Sequence, residues 1–225
     1  MEVSARKNPV ETGGNNNIAS PSSEGKFGDE NPVRDNNAQK SDKGLDGEIN
    51  KKMSRYIISD DMIELLYNQL QDEMINHNLY RSFALYYKNK GLCLLCDYFE
   101  KRAKEELNHH EWIYCYMKYC GINIQYPEIP ATNIDIVDEL TPFELTVKKE
   151  IETTRYINEM ATLALKEGDY GTFAWLNGNG PVVGELIPEQ TEEMSVSNQV
   201  LRIAKQNNDW LSKAEAILDF YDKRK

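Results

Sequence analysis

Four glutamates occupy positions where the sequence otherwise places apolar residues. In each of four segments, residues seven apart in the chain are apolar except for one glutamate. The four series are Leu66, Glu73 and Tyr80; Leu92, Phe99, Glu106, Ile113 and Cys120; Phe143, Glu150, Ile157 and Ala164; and Leu186, Glu193 and Val200. Residues at this spacing share one face of a helix, and an apolar face is normally buried. The spacing therefore predicts four carboxylates inside one helical core.

These carboxylates require a compensating charge. An ionised carboxylate in an apolar core costs several kcal/mol unless it is paired, and four that face one another cost more. His109 follows Glu106 by three residues and shares its face, while Gln190 lies one turn before Glu193. Glu73 lies 13 residues after the predicted start of its helix and Glu106 lies 14 before the predicted end of its own, so in an antiparallel pair both lie about 20 Å from the same end of the bundle. Carboxylates and an imidazole at one depth predict a metal cluster, and two iron ions suit this ligand set.

Local signals predict the helices that must position these residues. Ser59 is a suitable N-cap, Gly121 and Gly168 are typical residues after a helix end, and Thr141 with Glu144 predicts a capping box that includes Pro142. A break follows at residues 177–181, where the sequence is NGNGP, after a short helical stretch with Asp169 as its N-cap. The predicted helices are 60–89, 92–120, 141–168, 170–176 continuing at 182–206, and a short fifth helix at 209–222.

The connections between the helices predict the topology. A turn around Gly91 makes the first two helices antiparallel, whereas residues 122–140 separate the second helix from the third. Such a segment can reach about 60 Å when extended, whereas a helix of about 28 residues is about 42 Å long. The connection can therefore cross the whole bundle and leave helices two and three parallel. One long crossover in an all-α four-helix bundle is the ferritin-like topology.

Composition separates the bundle from an N-terminal segment. Residues 1–52 contain one aromatic residue, Phe27, and no apolar periodicity, which predicts a disordered polar tail before one domain at 53–225. The net charge of −11 belongs mostly to the domain, and an acidic surface repels nucleic acid and attracts cations. No stretch approaches the roughly 20 apolar residues that cross a membrane, so we expect a soluble protein without a membrane partner.

Four cysteines lie within the helical patterns, and the first two form a CxxC pair. They are Cys93, Cys96, Cys115 and Cys120. Zinc or redox chemistry is one interpretation of the pair, but turn residues of a zinc knuckle are missing around it. The positions favour buried or half-buried thiols in a reducing compartment, so we expect a cytoplasmic protein.

The stretches QLQDEMINHNLYR, AKEELNHHEW, VKKEIETTRY and PEQTEEM resemble the non-haem ferritins of the bacterial type. The likeness extends over almost all of residues 55–225 and includes the short fifth helix. It implies that Fe²⁺ is oxidised to Fe³⁺ at a diiron centre by O₂ or H₂O₂ and then stored. It also implies a homo-oligomer, with a 24-subunit shell. The sequence departs from the family at residues 177–181 and in its long N-terminal tail, which by resemblance lies outside the shell and is free to bind an unknown partner.

The resemblance also assigns roles to individual residues. The implied metal ligands and centre residues are Glu73, Glu106 and His109 for the first iron, Glu106 and Glu150 for the second, Glu193 as a further second-iron ligand, and Gln190 beside the centre. A third iron site would use Glu105, Glu189 and Glu192. Glu106 bridges the two ions. Tyr80 is placed to bind a ligand or donate an electron, and its alternative role is that of a core aromatic with a satisfied hydroxyl.

Non-functional interpretations remain for single motifs, and other functions remain open for the protein. The Glu106–His109 spacing is common on solvated helices, and Glu150 lies in KKEIE, which is compatible with an exposed ion-paired face. His77 and His110 are expected to lie on helix surfaces or behind the ligands. Two other functions remain open: a diiron protein that consumes peroxide without storing iron, and a structural or interaction protein that works through its tail.

Overall fold

The computed structural model describes residues 58–224, and within them the chain forms six helices. The helices are α1 Asp60–Asn89, α2 Cys93–Tyr119, α3 Thr141–Glu167, α4 Tyr170–Leu176, α5 Leu186–Ala204 and α6 Trp210–Asp222. The predicted tail at residues 1–52 lies outside the described residues. Helix α1 packs on α2 and α3, α3 packs on α5, and α6 packs on α2 and α5. The all-α, ferritin-like four-helix bundle with a short C-terminal helix is thereby confirmed.

Most helix ends follow their local signals. Ser59 accepts a hydrogen bond from the Met62 N–H at the start of α1. Asp169 and Asp209 cap α4 and α6 in the same way. Gly168 has φ 72° at the end of α3, a left-handed conformation in which glycine is favoured.

The predicted capping box at Thr141 is wrong. Thr141 is the first residue of α3, and Leu140 precedes it as an N-cap without a side-chain hydrogen bond. The carboxylate of Asp138 instead accepts from the Leu140 N–H at 3.0 Å and from the Thr141 N–H and hydroxyl at 2.8 and 2.7 Å. The N–H groups of Phe143 and Glu144, which an N-cap at Thr141 would have bonded, donate to the Leu140 carbonyl at 3.1 and 3.2 Å.

The long connection between α2 and α3 runs along α1, as the parallel arrangement requires. Near its start, the Tyr67 hydroxyl donates to the Asn123 carbonyl at 3.1 Å and accepts from the Gln125 N–H at 3.0 Å. Near its end, the Tyr87 hydroxyl donates to the Glu139 carbonyl at 2.6 Å. Tyr67 and Tyr87 lie about 30 Å apart along the helix axis, so the connection crosses most of the bundle.

The fourth bundle helix begins later than predicted, at Leu186 rather than at residue 182. Residues 177–185 instead wrap around Trp175, whose indole N–H donates to the Val183 carbonyl at 3.3 Å. A Cβ atom at Gly184 would lie 2.1 Å from the Trp175 indole nitrogen, and one at Gly180 would lie 2.6 Å from Trp175 atoms. These glycines permit a close approach that a regular helix would not provide. The departure at residues 177–181 is therefore a packed loop around a buried tryptophan.

Candidate metal centre

A polar layer separates the bundle interior into two apolar clusters. One cluster contains Phe83, Phe99 and Phe143, and the other contains Leu66 and Ile113. The layer between them consists of buried polar and charged residues from α1, α2, α3 and α5. They include Gln69, Glu73, Asn76, Arg102, Glu105, Glu106, His109, Glu150, Gln190 and Glu193, all at most 6% exposed. Every helix of the bundle thus contributes an acid to one interior layer.

The antiparallel pair α1 and α2 forms the first group of the layer. His109 Nδ1 lies 3.8 Å from Glu73 Oε2 and 3.5 Å from Glu106 Oε2. One ligand atom from each of these three residues lies within 4.8 Å of the other two, a spacing that can hold one metal ion. The structure therefore brings together three of the predicted ligands. We call Glu73, Glu106 and His109 the histidine group.

Helices α2, α3 and α5 form the second group. Oxygen atoms of Glu106, Glu150 and Glu193 also lie within 4.8 Å of one another. The guanidinium of Arg102 lies against all three of these acids, at 2.5 Å from Glu150 Oε1, 2.7 Å from Glu193 Oε1 and 3.7 Å from Glu106 Oε1. We call Glu106, Glu150 and Glu193 the arginine group, which shares Glu106 with the histidine group.

Glu150 has several donors besides Arg102. The Tyr80 hydroxyl donates to Glu150 Oε1 at 2.6 Å, and the Gln190 amide donates to Glu150 Oε2 at 2.8 Å. Both Glu150 oxygens therefore accept hydrogen bonds within the protein. Tyr80 and Gln190, which the sequence places near the centre, contact the same carboxylate, and the Arg102 guanidinium lies 5.3 Å from the Tyr80 ring centre.

Burial and the proximity of like charges shift the pKa values of the acids in the layer. Burial, followed by the charge of Glu193, raises the pKa of Glu106 well above its usual range. Burial also raises the pKa of Glu193 to about 7, although Arg102 opposes this shift. Burial alone would lower the pKa of His109, but Glu193, Glu106 and Glu189 raise it well above its usual value. For Glu73, burial is outweighed by His109, which lowers the pKa. The layer therefore carries more negative charge than its own cations neutralise.

The histidine group has acceptor capacity that the described residues do not use. Glu73 Oε2 and Glu106 Oε1 are fully buried and have no hydrogen-bond partner among the residues described. Buried carboxylate oxygens normally have partners, because each unmet acceptor costs free energy. Carboxylate oxygens with an imidazole nitrogen suit borderline divalent cations such as Fe²⁺. The donor set therefore fits a metal ion.

The other predicted acids lie at the edge of the layer. Glu189 Oε1 is 3.9 Å from His109 Nε2, and His109, Glu189 and Glu193 form a third set of atoms within 4.8 Å. Glu105 and Glu192 both face Arg224, at 2.9 Å and 3.7 Å. The three acids of the predicted third iron site are thus divided between His109 and an arginine that follows α6.

Three residues of the layer, Gln69, Asn76 and Arg102, were not predicted from the sequence. Arg102, in EKRAKEE, resembles part of a solvated charged face, yet it lies three and four residues from Phe99 and Glu106 and so belongs to the same inward face. Gln69 donates to Glu73 Oε1 at 2.7 Å and was also not predicted.

The two other histidines of the helices contact backbone carbonyls. His77 forms a hydrogen bond with the Ala103 carbonyl at 2.7 Å, and His110 forms one with the Leu70 carbonyl, as expected for histidines that are not ligands.

The cysteines are free, and three are half-buried as predicted. Cys93 is exposed, because it is the first residue of α2 at the end of the bundle. Among the described residues, no helix is long and apolar enough to cross a membrane.

Comparison with known proteins identifies the family. The model of the ferritin-like domain matches residues 63–179, just over half of the chain. The chain belongs to the ferritin-like family. The match includes Glu73, Glu106, His109 and Glu150 and ends before Glu193.

Individual ferritins give the same result over a longer span. A bacterial non-heme ferritin of Staphylococcus aureus is 27% identical over 156 residues, which are 68% of this chain and 90% of that protein. That of Staphylococcus haemolyticus is 27% identical over 139 residues, 62% of this chain and 80% of that protein. An open-pore ferritin of the archaeon Archaeoglobus fulgidus superposes with a TM-score of 0.64 at 22% identity, over 72% of this chain and 96% of that one. A humanized archaeal ferritin superposes with a TM-score of 0.63 at 25% identity, over 74% and 96%.

Proposed function

We propose that the protein is a ferroxidase that oxidises Fe²⁺ to Fe³⁺ and stores the product. The observation that carries this proposal is the histidine group, a buried set of metal-ligand atoms with unpartnered carboxylate oxygens in a ferritin-like chain. Glu73, Glu106 and His109 would bind the first Fe²⁺. Anionic oxygen ligands favour Fe³⁺ over Fe²⁺, so this environment lowers the free energy of oxidation.

A second Fe²⁺ would share Glu106 with the first and be held by Glu150 and Glu193, with Gln190 beside it. Oxygen atoms of these three acids converge within 4.8 Å, which supports a two-ion centre. Two Fe²⁺ ions supply one electron each, and O₂ takes both electrons and two protons to become H₂O₂. With H₂O₂ as the oxidant, the same two electrons and two protons yield two molecules of water. Glu106 contacts both groups and would keep the two ions adjacent.

A third ion is proposed at the edge of the layer, where Glu189 and Glu193 approach His109. Glu105 and Glu192 would complete the acidic surroundings of that ion after separating from Arg224. Tyr80 is proposed to hold the Glu150 carboxylate in place through the 2.6 Å hydrogen bond and to remain available as an electron donor beside it.

Storage requires a shell, and we propose a homo-oligomer of 24 subunits. The support is the ferritin-like fold together with the short α6, which is present and packs on α2 and α5. We further propose the cytoplasm as the location, because free thiols are typical of a reducing compartment. Light scattering on the purified protein tests the shell, since a dimer of a 26.0 kDa chain is far smaller than a 24-subunit assembly.

Stopped-flow absorbance after aerobic addition of Fe²⁺ tests the oxidation. The parent protein is expected to show a fast ferric phase that His109→Ala reduces by at least about 100-fold, because one of three first-ion ligands is lost. His110→Ala is the matched control, since the neighbouring histidine contacts a helix carbonyl instead of the acids. The absence of a fast phase in the parent would refute the ferroxidase proposal, and equal loss in both variants would refute the assignment of the activity to the histidine group.

A further inference from the structure

The arginine group already contains a cation supplied by the chain. Arg102 is fully buried, and its two terminal nitrogens lie at 2.7 Å from Glu193 Oε1 and 2.5 Å from Glu150 Oε1. Oxygen atoms of these acids and Glu106 lie within 4.8 Å of one another, as ligands of one metal ion do. The guanidinium therefore contacts the same carboxylates that a second ion would need.

Glu150 and Glu193 already accept hydrogen bonds without a metal ion. Glu150 Oε1 accepts from Arg102 and Tyr80, and Glu150 Oε2 accepts from Gln190. Charge-assisted hydrogen bonds of this kind are strong in a buried site. A metal ion that binds Glu150 and Glu193 must replace at least the bonds from Arg102.

The histidine group differs in this respect. Among the described residues, the ion pairs of Glu73 and His109 involve only other members of the layer and Glu189, and no arginine or lysine contacts Glu73. Glu73 Oε2 has no hydrogen-bond partner there. An ion can therefore reach Glu73 without displacing an arginine or lysine side chain, whereas Arg102 lies 3.7 Å from Glu106 Oε1.

We propose that Arg102 occupies the place of the second metal ion and makes the centre load in a fixed order. The first Fe²⁺ binds Glu73, Glu106 and His109, and the second binds Glu150 and Glu193 only when the guanidinium leaves them. This proposal rests on the proposed function, because it concerns the affinity of the same centre for its substrate. Arg102 also lies 3.2 Å from Glu105 Oε2, on its own helix, so an anionic partner remains for the displaced guanidinium.

Anaerobic calorimetric titration with Fe²⁺ tests the order of loading. The parent is expected to bind one ion tightly and a second at least about tenfold more weakly, since 1.4 kcal/mol of competition is a factor of ten. Arg102→Gln removes the competing charge and is expected to bring the second affinity to within about threefold of the first. Lys101→Gln is the matched control, because this neighbouring cation pairs with Asp222 on the surface and should leave both affinities unchanged.

The outcomes separate this proposal from the proposed function. Two ions bound with equal affinity by the parent, and no change in Arg102→Gln, would refute the role of Arg102 and leave the ferroxidase proposal intact. No ion bound by the parent would refute both.

A second measurement uses only the parent, in case Arg102→Gln does not fold with its acids uncompensated. Crystals soaked with limiting and with excess Zn²⁺ are expected to show first one anomalous peak at His109 with Arg102 still on Glu150. At excess Zn²⁺, a second peak is expected at Glu150, with the guanidinium moved away. A second peak beside an unmoved Arg102, or two peaks of equal height at limiting Zn²⁺, would contradict ordered loading.

Discussion

The two groups of the polar layer contain the same kind of ligand but differ in how the metal-free protein stabilises them. In the arginine group, Glu150 and Glu193 are paired with a fully buried guanidinium. In the histidine group, the buried Oε2 atom of Glu73 lacks a hydrogen-bond partner among the described residues, and its nearest cationic group is His109 at 3.8 Å. The first arrangement contributes to folding without metal, whereas the second leaves the carboxylates ready for a cation. Stability and metal affinity are therefore unequally divided within one layer.

The largest expected effect comes from breaking the arginine group. Glu150→Gln leaves Arg102 without its 2.5 Å partner, and removing one member of a buried ion pair costs about 3–5 kcal/mol. Urea denaturation in the presence of a chelator measures this loss in the metal-free protein. The control is Glu152→Gln, which removes a half-exposed ion pair with Lys149 and should cost less than about 1 kcal/mol. Equal losses in the two variants would contradict a stabilising arginine group.

The next effect is the pH dependence of the metal-free protein. Folding raises the pKa of Glu193 from 4.5 to about 7. Folding also raises the pKa of His109. Between the unfolded and the folded pKa of each group, the native state therefore binds more protons than the unfolded state. The stabilising contribution of Glu193 is then fully present below about pH 4.5 and is lost as pH rises through about 7, whereas that of His109 is lost at higher pH. The melting temperature in chelator is expected to fall by roughly 5 °C between pH 5 and 7.5.

Glu193→Gln is the matched variant for that measurement. Its amide does not titrate, so the melting temperature should fall less steeply over the same range, and the remaining slope reports Glu106 and His109 together. Glu73 does not produce this slope, because its pKa is lowered and its contribution changes only in more acidic solution. A melting temperature that rises between pH 5 and 7.5 in the parent would contradict the raised pKa values.

A smaller effect of opposite sign is expected for the acid that the two groups share. Glu106 carries a pKa raised first by burial and then by Glu193, so its ionised form destabilises the metal-free fold. Glu106→Gln is therefore expected to increase the free energy of unfolding in chelator at pH 7.5 by about 1–2 kcal/mol. With Zn²⁺ present, the order should reverse, because the variant lacks the bridging ligand. A variant less stable than the parent in chelator would show that the metal-free fold depends on this carboxylate.

The sequence predicts those parts of the fold that local signals determine. The bounds of α1 and the ends at Ser59 and Gly168 follow from capping and glycine conformation, which depend on a few neighbouring residues. The inward glutamates follow from a seven-residue repeat, because helical geometry alone assigns each residue to a face. The start of α5 was wrong by four residues, since residues 177–185 pack around Trp175, and this contact is tertiary.

Within the site, the ligands were easier to predict than their partners. Glu106 and His109 stand out because acids and histidines are unusual in an apolar series. Arg102 lies in a run of charged residues, where a solvated face is the usual interpretation, and its burial depends on acids contributed by α3 and α5. Its position four residues before Glu106 was the available signal. Charge compensation across helices depends on all four segments, so a pattern read along one helix does not reveal it.

The smallest effect is expected at Tyr80, where the two groups meet through Glu150. Tyr80→Phe removes the 2.6 Å hydrogen bond to Glu150 Oε1 but leaves Arg102 and Gln190 as donors to the same carboxylate. The carboxylate remains paired, so the free energy of unfolding should fall by only about 1 kcal/mol. Tyr87→Phe is a control of the same chemistry, because its hydroxyl donates to the carbonyl of Glu139 at the end of the crossover. If Tyr80 only positions Glu150, the two variants will oxidise Fe²⁺ at rates within about threefold of the parent. A much slower rate in Tyr80→Phe, with unchanged stability, would instead favour electron donation by this tyrosine.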